Sequence, residues 1–292
     1  MNKVILFGSS GNLGKKIAEA LVQAGYDLTA VVRSEQKRNE LKSLIPNCLI
    51  ADATNPASLK NCCHGFDIVI SALGKSVSPN DKSKPSFEEV DLQANSHILA
   101  EALNSGVKKF VYVSAFGSEN HPHLKYFAAH YRFEEKLKAS GLDYAIVKPP
   151  ALFSSFVDLM VLAQKGQLVN MGKGDKRTNP IYEGDLAQIC VEAIRQPNAT
   201  LEAGGQEILS RREINQIIQD LVNPRKKVRT LPIGLIKAML PLIKLADRNL
   251  YDKLSFFVEV MQHDTIAPAI GKTRLADYIQ SRMKKTAEPV RV

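Results

Sequence analysis

Cysteine is scarce in this chain, and its placing excludes more than it suggests. Cys48, Cys62, Cys63 and Cys190 show neither the paired spacing of a metal site nor the framework of a disulfide-stapled domain. A reducing cytoplasm is the simplest setting for them. Long apolar runs are missing as well, so no segment is expected to span a membrane. The chain enters an apolar strand almost at once after Met1, and no signal peptide is expected ahead of it. No internal repeat and no nucleic-acid motif appear. The net charge of +9 raises nucleic acid or an anionic membrane as partners. Its basic residues are scattered, however, apart from small clusters at Arg225–Lys227 and Arg282–Lys285. They read as solvated surface, and part of the excess suits an anionic dinucleotide.

What remains is ordinary for a globular chain. The 292 residues are 45% hydrophobic and 24% charged, enough for one large α/β domain or a domain with a smaller lobe. The organising stretch is Lys3 to Arg33. Val4–Phe7 is a short apolar run, as a buried parallel strand requires. Gly8, Gly11 and Gly14 follow at three-residue spacing. Asn12–Ala24 then carries Leu13, Ile17, Ala20, Leu21 and Ala24 at helix period, and Leu28–Val32 is a second strand. Strand, glycine turn, helix and strand make the first unit of a dinucleotide-binding fold. Gly8 serves the sharp turn, Gly11 close approach to a pyrophosphate, and Gly14 close packing of helix and strand. Ser9, Ser10, Asn12 and Leu13 complete a loop whose N–H groups, with the helix dipole, receive phosphate.

The end of the second strand selects the cofactor. An NAD site places an acid there for the ribose 2′-hydroxyl. This chain places Arg33, with Ser34, Lys37 and Arg38 close behind. A guanidinium fits a 2′-phosphate, so NADP(H) is expected.

Further along, Glu35–Leu44 reads as a helix, Cys48–Ala51 as a strand, Pro56–Cys63 as a short helix and Asp67–Ser71 as strand four. Lys75–Pro85 is a polar loop leaving the carboxyl end of that strand, where ligands of such sheets lie. Phe87–Ser105 is a long helix, Lys109–Ser114 strand five, Tyr126–Ala139 a helix and Tyr144–Val147 strand six. The alternation predicts an α/β protein, a Rossmann-type doubly wound parallel sheet over residues 1–150. Residues 151–292 form a smaller, mostly helical lobe interleaved with it. That lobe holds helices at Phe153–Gln164, Glu183–Arg195, Leu235–Leu245, Leu254–Met261 and Arg274–Arg282, and a strand at Glu207–Leu209. Ser210 and Glu213 form a capping box for a helix to Leu221. Leu235–Leu245 carries Lys237 and Lys244, which also fits a helix lying on a membrane surface; packing within the lobe is the preferred reading.

Taken together, these motifs resemble the atypical short-chain dehydrogenase/reductase superfamily, in particular its NmrA-like, NAD(P)H-binding branch. The resemblance rests on Gly8-Ser-Ser-Gly-Asn-Leu-Gly14, Val31-Val-Arg33, Asp52, Ser71-Ala-Leu-Gly74, Gly106-Val-Lys-Lys-Phe-Val-Tyr-Val-Ser114, Ser140-Gly-Leu-Asp-Tyr-Ala-Ile-Val-Lys-Pro149 and Asn179-Pro-Ile-Tyr-Glu-Gly-Asp-Leu-Ala187. It implies that Asp52 and Ala53 lie at the adenine. It further implies that Ala72, Leu73 and Gly74 run along the cofactor and that Ser114 and Pro149 line the site.

Relatives with full chemistry use Ser, Tyr and Lys, with the Tyr phenol as acid or base and the Lys lowering its pKa. The four-residue spacing of Tyr and Lys gives Tyr126 and His130 here. A protonated His130 would stabilise a phenolate and contact ribose. The usual serine position falls on Phe116, two residues after Ser114. Tyr126 reads equally as a packed helix-face aromatic, and His130 as a plain ribose contact. His121 and His123 flank Pro122 without supporting acids or cysteines, so no metal is expected. Cys62 and Cys63 read as a buried face, and Asp185 as a residue that orients its helix. The expected activity is an NADPH-dependent oxidoreductase of a small carbonyl, enone or quinone. The alternatives are an NADP(H)-sensing regulator of the NmrA kind and, behind it, a nucleotide-sugar epimerase or dehydratase. The sequence leaves the small-molecule substrate, a protein partner and homo-oligomerisation open.

Overall fold

The structure is a computed structural model and describes residues 2–287. The chain divides into two compact units. One holds the chain up to Ser76, Ser83–Pro149 and Glu183–Glu202; the other holds Val77–Lys82, Pro150–Tyr182 and the chain from Ala203 on.

The first unit opens with β1 (Lys3–Phe7), α1 (Asn12–Gln23), β2 (Asp27–Val32), α2 (Glu35–Leu41), β3 (Cys48–Ile50) and β4 (Ile68–Ser71). It continues with α3 (Asn95–Asn104), β5 (Lys109–Val113), α4 (Lys125–Lys138) and β6 (Asp143–Lys148). The chain then gives α5 (Val157–Gln164), β7 (Val169–Met171) and β8 (Arg177–Thr178) to the second unit. It returns to the first as α6 (Glu183–Ala193) and β9 (Ala199–Glu202). The sheet order is β3-β2-β1-β4-β5-β6-β9, and every pair is parallel. Val4, Ile5, Leu6 and Phe7 are all buried, because helices cover both faces of β1. α1 and α6 pack together on one side of the sheet, α3 and α4 on the other.

Side-chain alternation along β5 explains how α4 is seated. Phe110, Tyr112 and Ser114 point to one face and meet Phe133, His130 and Glu134 of α4. The helix before β5 departs from the simple periodic pattern. Its turns over Glu88–Ala94 widen to the π form. The Asn95 amide lies within hydrogen-bond distance of the carbonyls of Val90 and Asp91, and of Leu73 as well. A side chain inserted into the backbone ladder is a known cause of such an opening.

The second unit adds β10 (Leu209–Ser210), α7 (Arg211–Val222), β11 (Arg229–Leu231), α8 (Ile233–Ala246), α9 (Arg248–Val260) and α10 (Leu275–Ala287). Phe153, Ile214, Ile218, Leu275 and Ile279 form its core. The Ser210–Glu213 capping box is present in full at α7. Two small ladders, β10 with β8 and β11 with β7, complete it.

Several elements differ from the sequence reading. α2 stops at Leu41 rather than Leu44. The Pro56 segment is one 3₁₀ turn, Pro56–Leu59, so Cys62 and Cys63 lie in the turns after it. The strand expected at Glu207 is the two-residue β10. β9 has no apolar run to announce it. α9 begins at Arg248, where the Asp247 carboxylate accepts from the Leu250 amide. Among the described residues no helix is long and apolar enough to cross a membrane.

Candidate functional site

A parallel sheet gathers the carboxyl ends of all its strands at one edge. Register fixes the neighbours here: Phe7 stands beside Ser71, Ser71 beside Tyr112, and Val113 beside Val147. Gly8, Arg33, Ala72, Ser114 and Pro149 follow the strand ends and therefore line that edge. Strand order reverses between β1 and β4, and a crevice for ligand opens at such a switch point.

The glycine turn is built for close approach. Gly8 has φ +77°, and a Cβ there would fall 2.5 Å from the carbonyl of Ala72. A Cβ on Gly14 would fall 2.1 Å from the Gly8 carbonyl oxygen. Gly14 thus lets the start of α1 sit on its own turn, a tighter contact than the helix-to-strand packing expected. Gly11 takes the N-cap position with no side-chain cap, and the first turn of α1 contains no acid. The amides of Asn12, Leu13 and Gly14 are the helix's unsatisfied donors, a fitting seat for a phosphate. Ser10 is half-buried beside them, while the Leu13 side chain turns into the core. Ser9 is fully buried, and its Oγ donates to Val31 O (2.8 Å), tying the turn to the end of β2.

At that end Arg33 is exposed and makes no ion pair among the described residues. Its basic neighbours are already neutralised: Lys37 pairs with Glu40 and Arg38 with Glu35, both at 2.7 Å. Ser34 is spent on capping α2. One guanidinium is left to meet an anion. Beyond β3, Asp52 Oδ1 accepts from the amide and hydroxyl of Thr54, and Ala53 O bonds His97 Nδ1 (2.9 Å). A hydrogen-bonded turn is thereby held where the resemblance places adenine.

The segment after β4 rests on the widened helix. Leu73 O is bonded by Asn95, and Lys75 N donates to Asp91 Oδ1 (2.9 Å) directly under Gly74. Asp91 is fully buried, and its Oδ2 has no partner among the described residues. Burial raises its carboxyl to about 8, against the pull of Lys75, so it is protonated at neutral pH.

Tyr126, His130 and Glu134 recur every four residues on one face of α4. Tyr126 is half-buried, edge-on to Phe87 (centroids 5.4 Å) and to His130 (4.7 Å). Burial, with Asp91 nearby, holds its phenol above the ordinary value. His130 is buried, with Nδ1 2.6 Å from the Tyr112 hydroxyl and Nε2 3.7 Å from Asp91 Oδ1. Burial first, and Lys148 second, lower its pKa to about 3. The imidazole is therefore neutral at ordinary pH, its Nδ1 paired with the Tyr112 hydroxyl. Ser114 donates to Glu134 Oε1, as does Ser118 (2.7 Å). Lys148 Nζ bridges Glu134 (3.1 Å) and Glu119 (2.6 Å). Pro149 is buried, and its carbonyl accepts from Phe116 N (3.1 Å).

Asp91, Asn95, Tyr112 and Glu134 were not singled out by sequence. Their one visible signal was polarity on otherwise apolar faces of helix and strand. Asn179 and Asp185, in the segment expected to close over the site, have local work. Asn179 is buried and binds Gly205 O and Ala267 O; Asp185 lies in the first turn of α6.

The residues present fit a dinucleotide: a glycine cradle that a Cβ would fill, an uncapped helix start and an unpaired guanidinium. Comparison with known proteins agrees. A sequence model of a family described as NAD(P)H-binding matches residues 8–197. The photosystem II assembly factor Ycf39 of Trieres chinensis is 22% identical over 259 residues, covering 87% of this chain and 80% of that protein. Divinyl chlorophyllide a 8-vinyl-reductase of Arabidopsis thaliana is 28% identical over 257 residues, covering 80% of this chain and 60% of that protein. The quinone oxidoreductase QOR2 of Escherichia coli, solved with NADPH, superposes with a TM-score of 0.72 at 16% identity, covering 96% of this chain and 99% of that one. The fold is thus shared with NAD(P)H-dependent oxidoreductases, and the chain belongs to the NAD(P)H-binding family.

Proposed function

We propose that the protein is an NADPH-dependent oxidoreductase of a small carbonyl, enone or quinone. The observation that carries the reading is the unpaired Arg33 at the end of β2, beside an uncapped α1. The guanidinium takes the 2′-phosphate, the amides of Asn12, Leu13 and Gly14 the pyrophosphate, and Asp52–Ala53 the adenine. Ala72–Gly74 run along the ribose, with Ser114 and Pro149 at the far end. NADPH supplies the hydride when bound. Tyr126 keeps its proton because burial disfavours the phenolate, and it, or a water, gives that proton to the substrate oxygen. Neutral His130 orients the Tyr126 ring by edge contact and carries no charge to the ribose. The names of the Arabidopsis and E. coli relatives support reductive chemistry. The free thiols support a reducing compartment such as the cytoplasm.

A second reading, an NADP(H)-responsive partner protein, draws support from the commitment of Ser114 and His130 to internal hydrogen bonds and from the Ycf39 likeness. An epimerase or dehydratase has less support, since His130 stands where the lysine is needed. The test is NADPH consumption with a panel of quinones, enones and carbonyls. The reading requires acceptor-dependent turnover, with kcat roughly 10²-fold lower in Tyr126→Phe and KM little changed. Tight NADPH binding without turnover on any acceptor selects the second reading.

A further inference from the structure

Helix α8 is apolar on more than one side. Ile233, Ile236, Leu240 and Ile243 recur at helix spacing and are half-buried. α8 packs on α9, with Lys237 Nζ reaching Gln262 Oε1 (2.8 Å) and Lys244 Nζ standing 5.1 Å over the Tyr251 ring. A second row, Leu235, Met239, Leu242 and Leu245, repeats the spacing on another side. These four are 57%, 51%, 71% and 87% exposed, and no residue of the helix is buried.

Single exposed leucines are common, but a row along a whole helix marks a surface that something covers. An all-round apolar helix belongs in a core or in lipid. Fourteen residues rise about 21 Å, short of the roughly 30 Å of a hydrocarbon layer, so α8 does not span. Its length and two-sided apolarity suit a helix lying in the membrane interface. Charge selects lipid over protein as the occupant. Between Arg225 and Leu250 stand seven basic residues and one acid, Asp247. Lys227 and Arg229 precede the helix, and Lys244 and Arg248 lie at its far end. Long basic side chains at such a border extend their charge to headgroups while their stems stay on apolar surface.

We propose that α8 docks the protein on anionic membrane surface. The Leu235–Met239–Leu242–Leu245 row enters the acyl boundary, and the surrounding basic residues meet anionic headgroups. The docking is independent of the dinucleotide site.

The test is co-sedimentation of the full chain with phosphatidylcholine vesicles, with and without roughly one quarter phosphatidylglycerol. Binding to the anionic vesicles is expected, about tenfold weaker to the neutral ones, and falling as salt screens the headgroups. The double variant Leu242→Glu/Leu245→Glu should lose at least about tenfold in binding. Its melting curve should match the parent, because both side chains are surface-exposed. No sedimentation with anionic vesicles, or unchanged binding by the double variant, overturns the proposal. Light scattering that shows a dimer dispersed by the same substitutions also overturns it, in favour of a second copy on this face.

Discussion

The two ends of the strand-end edge treat polar groups in opposite ways. Around β1 and β2 they are left open: among the described residues the start of α1 has no cap and Arg33 no carboxylate. Around β5, α4 and β6 they are consumed: Ser114, Ser118, Glu134, Lys148 and Glu119 satisfy one another, and Tyr112 satisfies His130. Open groups cost stability in the absence of a ligand, and a ligand can repay that cost. Consumed groups stabilise the fold and have less to give to chemistry. The nucleotide end thus reads as a receptor, and the other end as a polar core around one half-buried tyrosine.

The largest effect that sharpens this contrast comes from the consumed end. Lys148→Met leaves Glu134 buried without its ammonium partner and should cost about 3–5 kcal/mol. Adding Glu134→Gln should recover most of it; thermal melts of both variants decide, and a Lys148→Met protein as stable as the parent would break the contrast. Next, Gly14→Ala forces a Cβ against the Gly8 carbonyl and should cost about 1–3 kcal/mol while abolishing tight NADPH binding, measured by melting and fluorescence titration. Third, Arg33→Ala should weaken NADPH roughly 10- to 100-fold, leave NADH unchanged and leave the melting temperature alone, since no internal partner is lost. Equal loss for both nucleotides would remove Arg33 from the 2′-phosphate.

A pH signature completes the comparison. His130 has its folded pKa lowered from 6.5 to about 3, so the folded chain binds fewer protons in that window and stability falls as pH drops through it. Asp91 has its folded pKa raised from 3.8 to about 8, so the folded chain binds more protons there and stability falls as pH rises through that window. Asp91→Asn should remove the second slope and keep the first. Urea midpoints across pH check this; a variant that still loses stability towards pH 8 would acquit Asp91.

The receptor end was legible in the sequence because its signals are local. Gly8, Gly11, Gly14 and Arg33 sit within one strand-turn-helix-strand stretch, and period alone placed β1, α1 and β2. The consumed end was not, because its pairs join residues far apart in the chain: Ser114 with Glu134, Lys148 with Glu119, Tyr112 with His130. No periodicity announces such a pairing, and Tyr112 reads as one more core aromatic. The π turns over Glu88–Ala94 were hidden for a related reason, since Asn95 widens the helix without disturbing its apolar spacing. β9 was missed because Ala-Thr-Leu-Glu at the sheet's border carries half its side chains to water.

That border strand has a consequence for the order of assembly. β6 is flanked on one side by β5 and on the other by β9, which leaves the ribosome some fifty residues later, after the whole excursion through α5, β7 and β8. Until then the nascent sheet presents β6 as a bare row of amides and carbonyls beside apolar Ala145, Ile146 and Val147. A fragment ending at Pro149 would keep that exposed margin permanently. In the complete chain Glu183–Glu202 supplies α6 and β9, and β9 pairs along β6 to cover that margin.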